Sequence, residues 1–404
     1  MFFEIPIRVI GKILELDIFK RLNLQKISGK CSRRKDHTYF KLGIGKAAIL
    51  ASMVFPGVSW QEASPESVGL DSVKLKNALN YLDSRLAKTG GISELVIVRK
   101  GYIVAKGYDI DRKHDTWSVT KTFTSTALGL LIDDGKCTLD MLAKDCAPSL
   151  KEHYSEVTLR HFATMTSGYD AAGYSESHSH GNGRGDWGPN PYEVAPPLYS
   201  PGTKFCYHDE AMFMFGRILT VIAEQRLHDL LQERITKPIG MGNWDWPQNG
   251  EVNNIGINQG CTGVSISAKQ LARWGYLFLN RGNWNGKQLI SAAWIDQATR
   301  NQVPTSLGLV VDRSRKIEGR GVYGYNWWVN GLGPDGNRKL PDVPINLYWA
   351  SGFNNNVCFV IPDWNMVIVR LGTSGRPKNS TEIWNNFLKR IGESLISGEH
   401  YGGL

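Results

Sequence analysis

Trp117-Ser118-Val119-Thr120-Lys121 stands at the head of a long apolar-periodic run, Phe123 to Asp133. Residues three apart in a helix project from one face, so the Lys121 amine is placed against the Ser118 hydroxyl. A free serine hydroxyl is a poor nucleophile and needs an adjacent base. A lysine, ordinarily near pKa ~10.4, serves as one only where burial or nearby cations hold it neutral. The same Ser-x-x-Lys spacing recurs at Ser32 to Lys35, in a basic polar segment with no apolar helix behind it, so spacing alone decides nothing. Context must come from the rest of the chain.

The 404 residues are 42% hydrophobic and 21% charged, an ordinary globular composition with length for one large domain or two packed subdomains. The formal net charge is +9, but residues 1–60 hold eleven Lys/Arg against four Asp/Glu, and the remainder is close to balance. A nucleic-acid surface would carry its charge on the folded part beside stacking aromatics, so no nucleic-acid partner is expected. The six cysteines are scattered without the close pairs of a zinc site or a dense disulfide frame, and read as mostly buried thiols. Cys206 stands out because it precedes Tyr207.

Residues 1–59 read as a basic N-terminal extension. Ile7 to Leu22 mixes apolar and basic positions as a short amphipathic helix would, and Ser32-Arg33-Arg34-Lys35 precedes the apolar run Leu42 to Phe55. A charged region before a short apolar core is the pattern of an export signal, with a retained membrane-proximal anchor as the alternative. The run is shorter than the roughly 18 apolar residues of a membrane span. A periplasmic or secreted location is therefore expected.

The folded domain is expected over 60–404. Asp71 is placed to cap a helix running through Leu75, Leu79, Leu82 and Leu86. Leu95 to Val98 and Tyr102 to Val104 flank a glycine turn as a hairpin. After the Ser118 helix, closed by Gly135, a helix is expected from Thr158 to Met165, ending at Ser167-Gly168. Tyr169 to Pro201 has no period and is rich in Gly, Ser, His, Asn and Pro; a loop of that length in a compact domain is more often functional than accidental. Helical patterns follow at Ala211 to Leu227, Ala268 to Leu279 and Ala292 to Ala298. Strand-like runs return at Tyr325 to Val329, Leu347 to Ala350, Val357 to Ile361 and Met366 to Leu371, before a helix from Glu382 to Ile396. Strands flanking a helical middle predict an α+β architecture: an antiparallel sheet built from both chain ends, and a mostly helical second lobe.

Taken in order, several stretches resemble the serine hydrolases that share the fold of class C β-lactamases and penicillin-binding proteins, above all the esterase and 6-aminohexanoate-oligomer hydrolase branch. The carriers are Trp117 to Lys121, Thr158-Leu159-Arg160-His161 running into Met165-Thr166-Ser167-Gly168, Ser200-Pro201-Gly202-Thr203 leading to Tyr207-His208-Asp209, Pro238-Ile239-Gly240-Met241, Tyr325-Asn326-Trp327-Trp328, and Ala350-Ser351-Gly352. The resemblance covers roughly residues 60–398. It implies an acyl-enzyme mechanism without metal or organic cofactor. Ser118 would attack the carbonyl, Lys121 would accept or relay its proton, and Tyr207 would pass that proton to the leaving group. The strand Ser351-Gly352-Phe353 would supply one oxyanion donor, at Gly352 or Phe353, beside the N–H of Ser118. Outside the resemblance, Tyr207 would read as one packed aromatic among fifteen tyrosines.

Two departures bear on chemistry. Asp209 stands where the family usually has asparagine, and a carboxylate there would raise the Lys121 pKa. Either Asp209 points away, or Tyr207 carries more of the proton transfer. Ala350 stands where penicillin-recognising members place Lys or His, which favours a substrate without a carboxylate, such as an ester or small amide. Asn354-Asn355-Asn356 also occupies a region often glycine-rich in relatives. Tyr174, Asp186, Trp187 and Asp209 are candidate pocket residues, and His178 and His180 read as solvated loop histidines. The expected partner is a small-molecule ester or amide substrate. Two alternatives stay open: a catalytically silent penicillin-binding-like module in which Asp209 spoils the relay, and a true β-lactamase or D-Ala-D-Ala peptidase.

Overall fold

Both ends of the described chain meet in one seven-stranded sheet. In the computed structural model, which describes residues 53–87, 90–172, 190–310, 317–373 and 380–396, the strands are β1 (Gln61–Glu62), β2 (Leu95–Arg99), β3 (Tyr102–Lys106), β4 (Trp328–Val329), β5 (Tyr348–Gly352), β6 (Asn356–Ile361) and β7 (Met366–Arg370). Their spatial order is β1-β3-β2-β7-β6-β5-β4. Every neighbouring pair is antiparallel except β1 with β3. The sheet is therefore mixed rather than purely antiparallel, through a two-residue edge strand. The β2–β3 hairpin turns through Lys100 and Gly101, both at positive φ (52° and 89°), which matches the right-handed twist of its strands.

Strands β2, β6 and β7 are buried along their whole length. Their sequences are correspondingly near-continuous apolar runs, because both faces of the sheet are covered. Eight α-helices are described: α1 (Ser72–Leu86), α2 (Thr120–Asp133), α3 (Leu159–Ala163), α4 (Asp209–Ala223), α5 (Leu227–Leu231), α6 (Ala268–Leu279), α7 (Ala292–Ala298) and α8 (Ser380–Glu393). The α1 cap is as expected, with Lys74 N donating to Asp71 Oδ1 at 2.9 Å. Helix α6 packs on β2, β6 and β7, while α1 and α8 pack on each other. Alternation along β6 separates the two layers: Cys358 meets α6 at Gly275, and Phe359 meets Trp384 of α8 at 5.4 Å between rings.

The helical lobe is arranged around α2, buried from Thr120 to Leu131. Three of its hydroxyls are satisfied by carbonyls. Thr122 donates to Val119 O, Thr124 to Gly260 O and Thr126 to Thr122 O, at 2.8–2.9 Å. That is how most of a threonine-rich helix is buried at little cost.

Helices α6 and α7 fall where the periodicity places them; other boundaries differ. The helix expected over Ala211 to Leu227 starts earlier, at Asp209, and ends at Ala223, where Glu224 turns left-handed (φ 57°). The helix after Thr158 ends at Ala163. Asn326 at φ 60° breaks the strand expected over Tyr325 to Val329, leaving only Trp328–Val329. Tyr174, His178, His180, Asp186 and Trp187, and the export-like segment before residue 53, lie outside the described residues. Among the described residues no helix is long and apolar enough to cross a membrane.

Gly129 gives α2 its close approach to α7. A methyl at Gly129 would lie 2.4 Å from the Trp294 indole. Overpacking of this kind costs about 1–3 kcal/mol, against about 1 kcal/mol that alanine gains over glycine in a helix. Gly129→Ala is therefore expected to lose stability in urea unfolding; a variant more stable than the parent would show that Trp294 can move aside.

Candidate active site

Ser118 is held by its neighbours before it is held by any helix. Thr116 N and Oγ1 both donate to Val264 O (2.9 and 2.8 Å), and Val264 N donates to Thr120 Oγ1 (3.1 Å). Between these anchors Trp117 takes a left-handed φ of 55°, an outlier for a bulky residue, with its N–H donating to Asp115 Oδ1 at 3.0 Å. Ser118 thus lies in a 3-10 turn, Trp117–Val119, and α2 begins two residues later. The three-residue spacing still brings Lys121 to Ser118, across the junction of turn and helix rather than within one α-helix.

Lys121 Nζ is surrounded. It donates to Ser118 Oγ at 2.8 Å, to Asp209 Oδ1 at 2.7 Å and to Cys261 O at 3.2 Å. Three acceptors match the three protons of an ammonium. The side chain is 1% exposed, and Nζ lies 4.7 Å from the centroid of the Tyr207 ring. Burial by itself would push the Lys121 pKa down. The Asp209 carboxylate, helped by Tyr207 and Cys261, outweighs it, and the net shift is upward. Of the two arrangements open to the sequence, the one with Asp209 turned away is excluded. As the first residue of α4, Asp209 also sits where the helix N-terminus favours negative charge.

Tyr207 reaches the same place from the other side. Its ring stacks on Trp328 (5.8 Å, 18°) and meets Tyr323 edge-on (6.2 Å, 82°). Lys339 Nζ lies 4.0 Å from the centroid of the Trp328 ring and donates to Glu318 O at 2.8 Å; burial brings its pKa down to about 8. Sequence reading did not single out Lys339 or Tyr323. It also missed the buried His208–Glu210 pair beside Asp209, with Nε2–Oε2 at 3.3 Å. The one signal in the sequence was the run of charge in Tyr207-His208-Asp209-Glu210 just before an apolar helix.

The end of β5 completes the site. Ala350 is buried, and Ser351 and Gly352 pair with Val357 and Asn356 of β6. A methyl at Gly352 would lie 2.1 Å from Thr116 O and 3.2 Å from Ser118 N, so the backbone of this strand rests directly on the turn that carries Ser118. Beyond it Asn354 and Asn355 take positive φ (62° and 58°), a conformation that asparagine tolerates better than most residues. The turn is tied down twice. Arg370 Nη1 donates to Asn354 O at 2.8 Å, and Asn356 Nδ2 donates to Asp115 O at 3.2 Å. Phe353, 39% exposed, lies 5.1 Å from the Trp117 ring and forms an aromatic lip beside Ser118.

The sequence profile of the Beta-lactamase family matches residues 80–389, which includes every element just described. The chain belongs to that family. Among solved structures, this β-lactamase-family chain is similar to a Bacillus anthracis protein described as a 6-aminohexanoate-dimer hydrolase (TM-score 0.60, 21% identity, 84% of this chain and 88% of that one). It is also similar to a family VIII carboxylesterase (TM-score 0.57, 15% identity, 80% and 97%) and to a penicillin-binding protein homologue from Caulobacter crescentus (TM-score 0.58, 16% identity, 81% and 99%). At these identities the likeness shows the β-lactamase/transpeptidase-like fold. The chain spans 46% and 34% of the length of the curated relatives it matches, each at 24% identity.

Two expectations follow for this site. Gly352→Ala must push β5 off the Ser118 turn, and a displacement near 1 Å costs on the order of 100-fold in rate. The variant should melt below the parent and, at a temperature where both are folded, label with a fluorophosphonate about that much more slowly; equal labelling would mean the contact is dispensable. Because the folded Lys121 pKa is raised above its ordinary ~10.4, the contribution of the charged group is complete below about pH 10 and is lost only as pH rises through the folded value. Lys121 therefore stays charged between pH 6 and 9; if the site turns over an ester, a flat rate there fits the ammonium–carboxylate pair as the working resting state, whereas a tenfold rise per pH unit would mean that free amine is the reactive form.

Proposed function

We propose that the chain is a serine hydrolase that cleaves a carboxylic ester or small amide through an acyl-enzyme on Ser118. The observation that carries this reading is the 2.8 Å contact between Lys121 Nζ and Ser118 Oγ, made directly beside the backbone of Gly352. Ser118 attacks the carbonyl, and the N–H groups of Ser118 and of Gly352 or Phe353 receive the developing oxyanion. Tyr207, its ring 4.7 Å from Lys121 Nζ, carries the proton to the leaving group. Water then releases the acid. Buried Ala350 offers no cation for a substrate carboxylate, which favours esters and simple amides over penicillins and D-Ala-D-Ala peptides. The aromatic lip of Trp117 and Phe353 suits an apolar acyl or alcohol group. The basic segment and apolar run ahead of the folded part support action in the periplasm or outside the cell.

A second reading has one observation in its favour. With all three Lys121 protons engaged, Lys121 offers no lone pair in the resting site, as in a catalytically silent binding module.

Intact mass after fluorophosphonate treatment separates the two. The hydrolase gives a single adduct that is absent in Ser118→Ala, together with turnover of p-nitrophenyl esters that Ser118→Ala abolishes without loss of fold. A folded parent that takes no adduct would leave the binding module as the reading to pursue.

A further inference from the structure

If Ser118 is the nucleophile, its proton needs a destination, and Lys121 as it stands has no lone pair to offer. One group in direct contact with the ammonium can empty it. Asp209 Oδ1 accepts from Lys121 Nζ at 2.7 Å, while the same nitrogen donates to Ser118 Oγ at 2.8 Å, so hydroxyl, amine and carboxylate form a continuous line. The lysine and aspartate are 1% and 6% exposed, which keeps bulk water out of the exchange. We propose that Asp209 is the proton acceptor of the acylation step, acting through Lys121, so that this chain activates its serine with a Ser-Lys-Asp line in place of an arrangement that ends in an amide. This rests on the serine-hydrolase reading above.

The step balances. One Nζ–H bond breaks and an O–H bond forms on Asp209, leaving a neutral amine that rotates its lone pair toward Ser118. As Ser118 Oγ bonds to the carbonyl carbon, its proton passes to Nζ and the carbonyl π pair moves to oxygen. Lysine is again an ammonium, aspartic acid is neutral and the new charge is the oxyanion, so the total charge is unchanged. On collapse the C–O or C–N bond to the leaving group breaks, Lys121 returns a proton through the Tyr207 phenol to that group, and Asp209 gives its own back to Lys121. Substrate that fills the cleft desolvates the ion pair further, which favours the neutral pair the step requires. An asparagine at position 209 could still accept a hydrogen bond from Lys121 but could hold no proton.

Other ionisable groups crowd this line. Tyr207 and Cys261 act on Lys121, Tyr323 faces Tyr207 and Asp209, and the His208–Glu210 pair flanks Asp209 at the start of α4. A pH profile of the parent alone would blend them.

The test is Asp209→Asn in the full chain, read by the rate of fluorophosphonate labelling. Fluoride leaves without a proton, so this rate isolates serine activation from the work of Tyr207. The expected result is a loss on the order of 100-fold at pH 7, with the variant's residual rate rising steadily toward pH 10 while the parent's stays flat. A variant that labels as fast as the parent, or faster, overturns the proton route and leaves the hydrolase reading intact. A parent that takes no adduct at Ser118 overturns both. Should Asp209→Asn not fold, Asp209→Glu decides the matter: a carboxylate kept within reach of Lys121 retains the parent's flat pH profile of labelling, and a rate that instead rises steadily toward pH 10 overturns the proposal.

Discussion

The ammonium of Lys121 has been taken out of water, and much of the architecture serves to make that tolerable. An isolated buried cation costs several kcal/mol even after relaxation, and here three separate chain segments converge to offset it: the turn before α2 with Ser118, the start of α4 with Asp209, and the carbonyl of Cys261. Each acceptor is held by something else. Thr116 and Thr120 lock the serine turn onto Val264, Thr124 anchors α2 to Gly260 beside Cys261, and Asp209 is fixed by the helix it begins. Replacing any one of them loads the cost onto the remaining two.

The second constraint is steric. The sheet and the helical lobe meet at the site through bare backbone, Gly352 against Thr116 and Ser118, with no side chain between them. This is why the β5–β6 turn is tied so firmly on its far side, by Arg370 to Asn354 and by Asn356 to Asp115. A contact between backbones is set by strand position alone and has no rotamer to adjust. The aromatic slab plays the corresponding part for Tyr207: Trp328 comes from the edge strand β4 and Tyr323 from the segment just before it, so the phenol too is positioned by the sheet.

Much of this was legible in the sequence where the signal is local. Helices α6 and α7 follow from apolar period and caps, the β2–β3 hairpin from its glycine turn, and the α+β layering from strands at both ends of the chain. The Ser118–Lys121 contact followed from spacing, although a 3-10 turn rather than an α-helix delivers it. What could not be read is what depends on distant partners. Whether Asp209 faced Lys121 or turned away is decided by α4 docking on α2. The extent of β4 is decided by one left-handed asparagine, and Asn does not announce its φ. Nothing local marks His208 and Glu210 for burial or sets Lys339 against Trp328; packing of distant segments does both.

The three acceptors of Lys121 come from positions 118, 209 and 261, so its surroundings exist only when segments 88 and 140 residues away have arrived. Contacts of such separation form late, because loop closure must precede them. No local piece of the chain can assemble them early. In a nascent or partly collapsed chain Lys121 keeps at most its neighbour Ser118 and lacks the acceptors from 209 and 261, so the surroundings of Ser118 are a property of the finished fold and of no fragment of it.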